Sequence, residues 1–106
     1  HHLLWSDRKL KGDHGLLYKT DPPLRSQFDS DALRDLLKQN KIDWIETDHA
    51  PHAVGEKLYS GFPSGYPSLY LYKYLIDEKL PDWGLNDKQI ENLTCGNIIR
   101  LFRLPF

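Results

Sequence analysis

In Ile42–His52, IDWIETDHAPH, an apolar run ends abruptly in Asp48, and two imidazoles, His49 and His52, follow around Ala50-Pro51. A carboxylate at the tip of a strand can bind a divalent cation through oxygen and can accept a proton as a general base. The same four residues, Asp-His-Ala-Pro, are also good turn chemistry, with Asp48 as the cap. On residue types alone the turn weighs slightly more. His49 directly follows Asp48, so its side chain is expected to point elsewhere and to pack. His52 lies beyond Pro51 and can turn back over the tip, to donate to a substrate carboxylate or carbonyl, or else stand in solvent.

Two further places carry polar groups of the same kind. His1 and His2 open an apolar stretch, HHLLW. Adjacent residues of a strand face opposite sides, so at most one of the two points inward, where an imidazole is a natural zinc ligand. In TDPPLR, residues 20–25, the rigid Pro22-Pro23 restricts the backbone around it to extended forms. Arg25 therefore has a defined position, and its planar fork suits a carboxylate. A surface ion pair with Asp29 or Asp31 is the plainer alternative. His14, between Gly12 and Gly15, reads as a surface histidine.

These groups need elements to hold them. Residues 1–5, 16–19 (LLYK) and 42–47 (IDWIET) read as strands. DSDALRDLLKQN, residues 29–40, reads as a helix with Asp29 or Ser30 as cap, a stripe of Leu33, Leu36 and Leu37, and Asn40 closing it. Residues 67–80 read as a second helix with Pro67 in its first turn. Asn86 caps a third, and Thr94 a fourth, CGNIIRLF, ending near Leu104-Pro105. Residues 49–66, rich in Gly, Pro and Ser, read as one long loop of the functional kind. Strands alternating with helices give an α/β fold, a parallel sheet with helices outside. In such sheets chemistry gathers at the carboxyl ends of strands, where all three polar places fall. Three strands would leave sheet edges uncovered, so the chain is expected to be the closing portion of a larger barrel.

The chain has 106 residues, is 40% apolar and carries a net charge of −1. The lysines and arginines are scattered, which gives no nucleic-acid footprint. No segment has the roughly 18 apolar residues of a membrane span. The single cysteine, Cys95, allows no internal disulfide and fits a buried thiol in a reducing, cytoplasmic setting.

Taken in order and spacing, HHLLWSD, TDPPLR, IDWIETDHAPH, the Glu56-Lys57 pair, GFP and LTCGNIIRLF together resemble dihydroorotase, of the metal-dependent amidohydrolase superfamily. The resemblance runs through the whole chain and corresponds to the last third or so of a long-chain, bacterial-type enzyme. Hydantoinases and allantoinases tend to keep Asp-His-(Ala/Ser)-Pro but usually lack the histidine that is His52 here.

The resemblance implies the C-terminal portion of a (β/α)8 TIM barrel, with strands six to eight in residues 1–106 and the N-terminal part outside this chain. It implies that His2 is a metal ligand and that Asp48 is both metal ligand and general base. His52 would contact substrate, and Asp21, Arg25, Gly61, Phe62 and Pro63 would line its pocket. The cofactor implied is zinc, one or two ions. The reaction implied is the reversible hydrolysis of dihydroorotate to N-carbamoyl-aspartate, performed only by the complete barrel. A homodimer and an aspartate carbamoyltransferase partner are further expectations. Another cyclic amidohydrolase and a catalytically silent subunit remain as rivals. Two departures stand out: Asp21 takes the place of the Asn often found before Pro-Pro-Leu, and GFPSGYPSLYLYKYL replaces a shorter turn. An added negative charge at Asp21 should weaken binding of an anion unless a cation or proton offsets it.

Overall fold

A computed structural model describes all 106 residues. The helices form where capping and apolar spacing direct them. Helix α1 spans Gln27–Lys38, and Ser26 caps it rather than Asp29 or Ser30. The Ser26 hydroxyl accepts from the Asp29 amide at 3.2 Å while the Asp29 carboxylate accepts from the Ser26 amide, a reciprocal box that satisfies two orphan donors. Asn40 closes the helix as expected. It takes a left-handed backbone (φ 57°), and the amides of Asn40 and Lys41 return to the carbonyls of Leu37 and Leu36. Ser30 and Leu37 form the buried face; Leu33 is half-buried and Leu36 is exposed.

A short helix α2, Val54–Tyr59, interrupts the expected loop of residues 49–66. Helix α3 covers residues 69–82 as Leu69–Tyr74, a π turn Leu75–Lys79, and Leu80–Asp82. Its first residue follows Ser68, so Pro67 stands just outside it. Helix α4 covers residues 87–102 and is capped by Asn86. It runs on through a π turn, Asn92–Gly96, where two helices were expected. Thr94 starts nothing there: its hydroxyl donates to the Ile90 carbonyl at 2.9 Å inside the helix. Left-handed Arg103 ends α4.

The core joins α1, α3 and α4 through Leu37, Leu75, Leu80, Leu85 and Leu93, with Ile45 entering from residues 42–48. Leu80 is fully buried.

The three expected strands do not form. Residues 2–4 make a turn, Gly15–Tyr18 make a 3-10 turn, and residues 41–48 pair with no strand. One parallel bridge, His49 to Tyr66, is the whole of the β pairing. The physical reason is that a helix bonds its own backbone, whereas a strand needs a neighbour for every amide and carbonyl. Residues 42–48 instead find partners singly. The Ile45 amide donates to Leu93 (3.0 Å), the Asn97 side chain to the Asp43 carbonyl (2.7 Å), and the Ser68 hydroxyl to the Thr47 carbonyl.

The radius of gyration, 15.4 Å, exceeds the roughly 13 Å of a compact 100-residue domain. Phe28, Tyr59 and Phe106 are each at least 80% exposed.

Candidate active site

Asp48 sits where the packed segment gives way to loop. Its backbone is left-handed (φ 48°), a region that Asp tolerates better than most residues. Its side chain borders a cavity of about 270 Å³ shared with His1, His2, Pro22 and Glu46, over an apolar wall that includes Leu37 and Ile45. Burial pushes the His2 imidazole below its ordinary value; the adjacent terminal ammonium and, less, the Arg25 guanidinium add to this, and the Asp48 carboxylate opposes it. The ring is thus held toward its neutral form, the one with a lone pair to give. The neighbouring His1 ring lies 4.6 Å away, and its buried Nδ1 has no hydrogen-bond partner.

His49 is exposed rather than packed away, and its structural part is one hydrogen bond. Its Nδ1 accepts from the Leu69 amide at 3.0 Å, satisfying an orphan donor in the first turn of α3. The lone pair on Nδ1 leaves the ring proton on Nε2.

His52 lies elsewhere. It borders a second cavity, about 330 Å³, with Glu56, Ser60, Gly61 and Pro63, and a third, about 180 Å³, with Tyr18, Lys57 and Tyr66 among its walls. Its Nδ1 is 3.9 Å from the Glu56 carboxylate, which also accepts from the Ala53 amide at 3.2 Å. The structure therefore brings His2 together with Asp48, and His52 together with Gly61 and Pro63, but not the two groups into one cavity. Gly61 and Phe62 are both left-handed, and the Phe62 carbonyl accepts from Lys19 Nζ at 2.7 Å.

Asp21 and Arg25 are exposed. Arg25 pairs with neither Asp29 nor Asp31. Asp29 serves the cap of α1, and Asp31 takes Gln27 and Arg34. The Arg25 carbonyl accepts from the Asp7 amide at 2.7 Å.

Sequence reasoning assigned no role to two structural side chains of this region, Lys57 and Ser68, both buried. For Lys57 the signal was its place in the Glu-Lys pair after His52.

Would a metal fit? A neutral imidazole and a carboxylate facing one cavity are suitable zinc donors. A closed site needs four ligands and a catalytic one three, and no three His, Cys, Asp or Glu side chains converge in the chain. The residues present fit one side of a metal site.

No family model matches the chain. Curated relatives do. Over 115 residues the chain is 35% identical to a dihydroorotase of Listeria monocytogenes and 36% identical to one of Bacillus licheniformis. Over 111 residues it is 34% identical to one of Fusobacterium nucleatum. The chain resembles dihydroorotase. All of it aligns, yet it spans only 25% of the length of each of these dihydroorotases. Among solved structures, a D-hydantoinase (dihydropyrimidinase) from Thermus sp. superposes with a TM-score of 0.82. That match covers 98% of this chain and 25% of the other, at 24% identity. The dihydroorotase-like chain thus shares the fold of about a quarter of that D-hydantoinase, although its own backbone forms no sheet.

Proposed function

We propose that the chain is the C-terminal portion of a dihydroorotase, and that the complete polypeptide hydrolyses the cyclic amide of dihydroorotate reversibly to N-carbamoyl-aspartate. The observation that carries this reading is the cavity that Asp48 and a half-buried His2 line together. The similarity to dihydroorotases over the whole chain supports the substrate class.

Zinc held by His2, Asp48 and donors outside these 106 residues would supply Lewis acidity at the amide carbonyl. Asp48 accepts the proton of the attacking water at its carboxylate. It returns that proton to the ring nitrogen as the carbon–nitrogen bond breaks. His52 and the Gly61–Pro63 backbone hold the substrate carboxylate and orient the ring. The exposed apolar side chains Phe28, Tyr59 and Phe106 lie against the rest of the barrel or a second subunit. The setting proposed is cytoplasmic pyrimidine synthesis.

Two rivals rest on particular observations. The superposition on a D-hydantoinase favours a hydantoin-opening enzyme. Asp21, an added negative charge near an anionic substrate, favours a silent subunit supporting a partner such as aspartate carbamoyltransferase. The deciding experiment assays the complete polypeptide against dihydroorotate, hydantoin and allantoin, with its metal content measured. Opening of dihydroorotate, lost in Asp48→Ala with the circular dichroism retained, is the expected result. Opening of hydantoin or allantoin alone rejects the substrate. An inactive parent without metal rejects the enzyme.

A further inference from the structure

Lys57 is the single charged residue buried in the chain, 3% exposed, and no carboxylate pairs with it. Its ammonium donates to two backbone carbonyls, Lys19 at 2.8 Å and Gly65 at 2.6 Å. The Gly65 amide closes the same knot by donating to the Lys19 carbonyl at 2.9 Å. Lys19 extends it, since its own Nζ holds the Phe62 carbonyl.

An uncompensated buried cation is a poor stabiliser, because desolvation opposes it and neutral carbonyls return only part of the loss. A methionine of similar length would fill the space without that cost. What the ammonium adds is geometry. It ties three stretches at one point: residues 19–25, which carry Asp21 and Arg25; α2, just beyond His52; and residues 61–65. Gly65 completes the join. A Cβ there would lie 2.6 Å from the Ala50 carbonyl and 3.1 Å from the His52 ring, so His52 packs directly on the clamped backbone.

We propose that Lys57 is a positioning residue, whose buried ammonium sets His52 and residues 61–63 relative to residues 21–25 and so shapes the substrate pocket. This rests on the proposed reading of the site as substrate-binding. Lys57 touches no reacting atom. Its loss is expected to weaken ground-state and transition-state binding alike.

The test uses the complete polypeptide as wild type, Lys57→Met, Lys57→Arg and, as a control, Lys73→Met, a lysine on the surface of α3. Wild type failing to open dihydroorotate would count against the function, not against Lys57, whose role amide exchange then decides. For Lys57→Met we expect KM to rise about tenfold with kcat within about twofold, the pattern of lost uniform binding. Amide exchange should quicken in residues 19–25 and 61–65 and stay unchanged in α1. Arginine keeps the charge but not the compact ammonium, so it should restore only part of KM, leaving it raised about threefold. KM and exchange in Lys57→Met equal to those of Lys73→Met would overturn the proposal. So would exchange raised equally in α1, which makes Lys57 a general stabiliser. If Lys57→Met does not fold, Lys57→Arg decides alone, and a wild-type KM there overturns the proposal.

Discussion

The helical side of the molecule and the segment bearing Asp48 are built on opposite terms. Helices α1, α3 and α4 bond their own backbones and meet on leucines, and α1 and α4 carry their own caps. Residues 42–48 have no ladder and are fastened one bond at a time, by Leu93, Asn97 and Ser68. The chemistry proposed for Asp48 stands on the second kind of structure, which the first holds in place. Damage to the two sides should therefore separate into lost activity and lost stability.

The largest effect expected falls on Asp48. Asp48→Asn keeps the shape and tolerates the left-handed backbone, so the fold should survive. Removing the proposed general base is expected to lower kcat by about 10²–10⁴-fold in the complete polypeptide. Steady-state kinetics beside a thermal melt check this. A large drop in melting temperature would mean that Asp48 also holds the segment, and the separation would fail.

Leu80→Ala is the opposite case. Leu80 is fully buried among α3, α4 and the chain that joins them. A cavity there should cost about 3 kcal/mol, read as a shift in denaturant midpoint, with kcat/KM of the folded fraction unchanged. Leu36→Ala, on the exposed edge of the leucine stripe of α1, should cost well under half as much.

Much of the helical side was legible in the sequence because its signals are local. Asn40 and Asn86 announce helix ends through their own side chains and backbone, and the Leu33–Leu36–Leu37 stripe needs no knowledge of its packing partners. The misplaced boundaries have local causes too: Ser26 outcompeted Asp29 because a hydroxyl can cap while Asp29 answers from the third position. The strands failed for the converse reason. IDWIET has the apolar pattern of a strand, but pattern supplies no hydrogen-bond partner. Within the candidate site, residue types left His1 and His2 as alternatives and weighed a turn above a ligand at Asp48; the family resemblance pointed to His2 and Asp48, and His1, His2 and Asp48 line one cavity. The residue types could not reveal that His52 would pack on Gly65 beside Glu56, since that depends on contacts 13 positions along the chain. Lys57 was invisible as a clamp because its acceptors are backbone carbonyls, which every sequence has.

Asn97→Ala examines the seam between the two regions. It removes the donor to Asp43 from α4 and should cost about 1 kcal/mol. Because residues 42–48 depend on few such bonds, activity should fall severalfold as well. Ser26→Ala removes a bond of similar size, about 1 kcal/mol, within the helical side and should leave kcat/KM alone. Equal kinetics for the two variants would show that α4 does not fix Asp48.

The smallest effect concerns Tyr66, which bridges to His49 and stacks on Tyr18 with ring centroids 5.6 Å apart. Burial pushes its phenol well above the ordinary value, and the hydrogen bond with the Tyr70 hydroxyl, 2.8 Å, adds to the shift. Proton counting gives the sign. In the unfolded chain Tyr66 ionises near pH 10, while the folded chain still holds the proton. Its contribution is therefore complete below about pH 10 and is lost as the pH rises toward the folded value. Melting temperatures on either side of pH 10 should fall more steeply for wild type than for Tyr66→Phe, which has no proton to lose. Equal slopes would mean that water reaches the phenol. The Trp5–Tyr18–Tyr66 cluster would then be an open face of the loop region rather than part of the packing that holds His49 to α3.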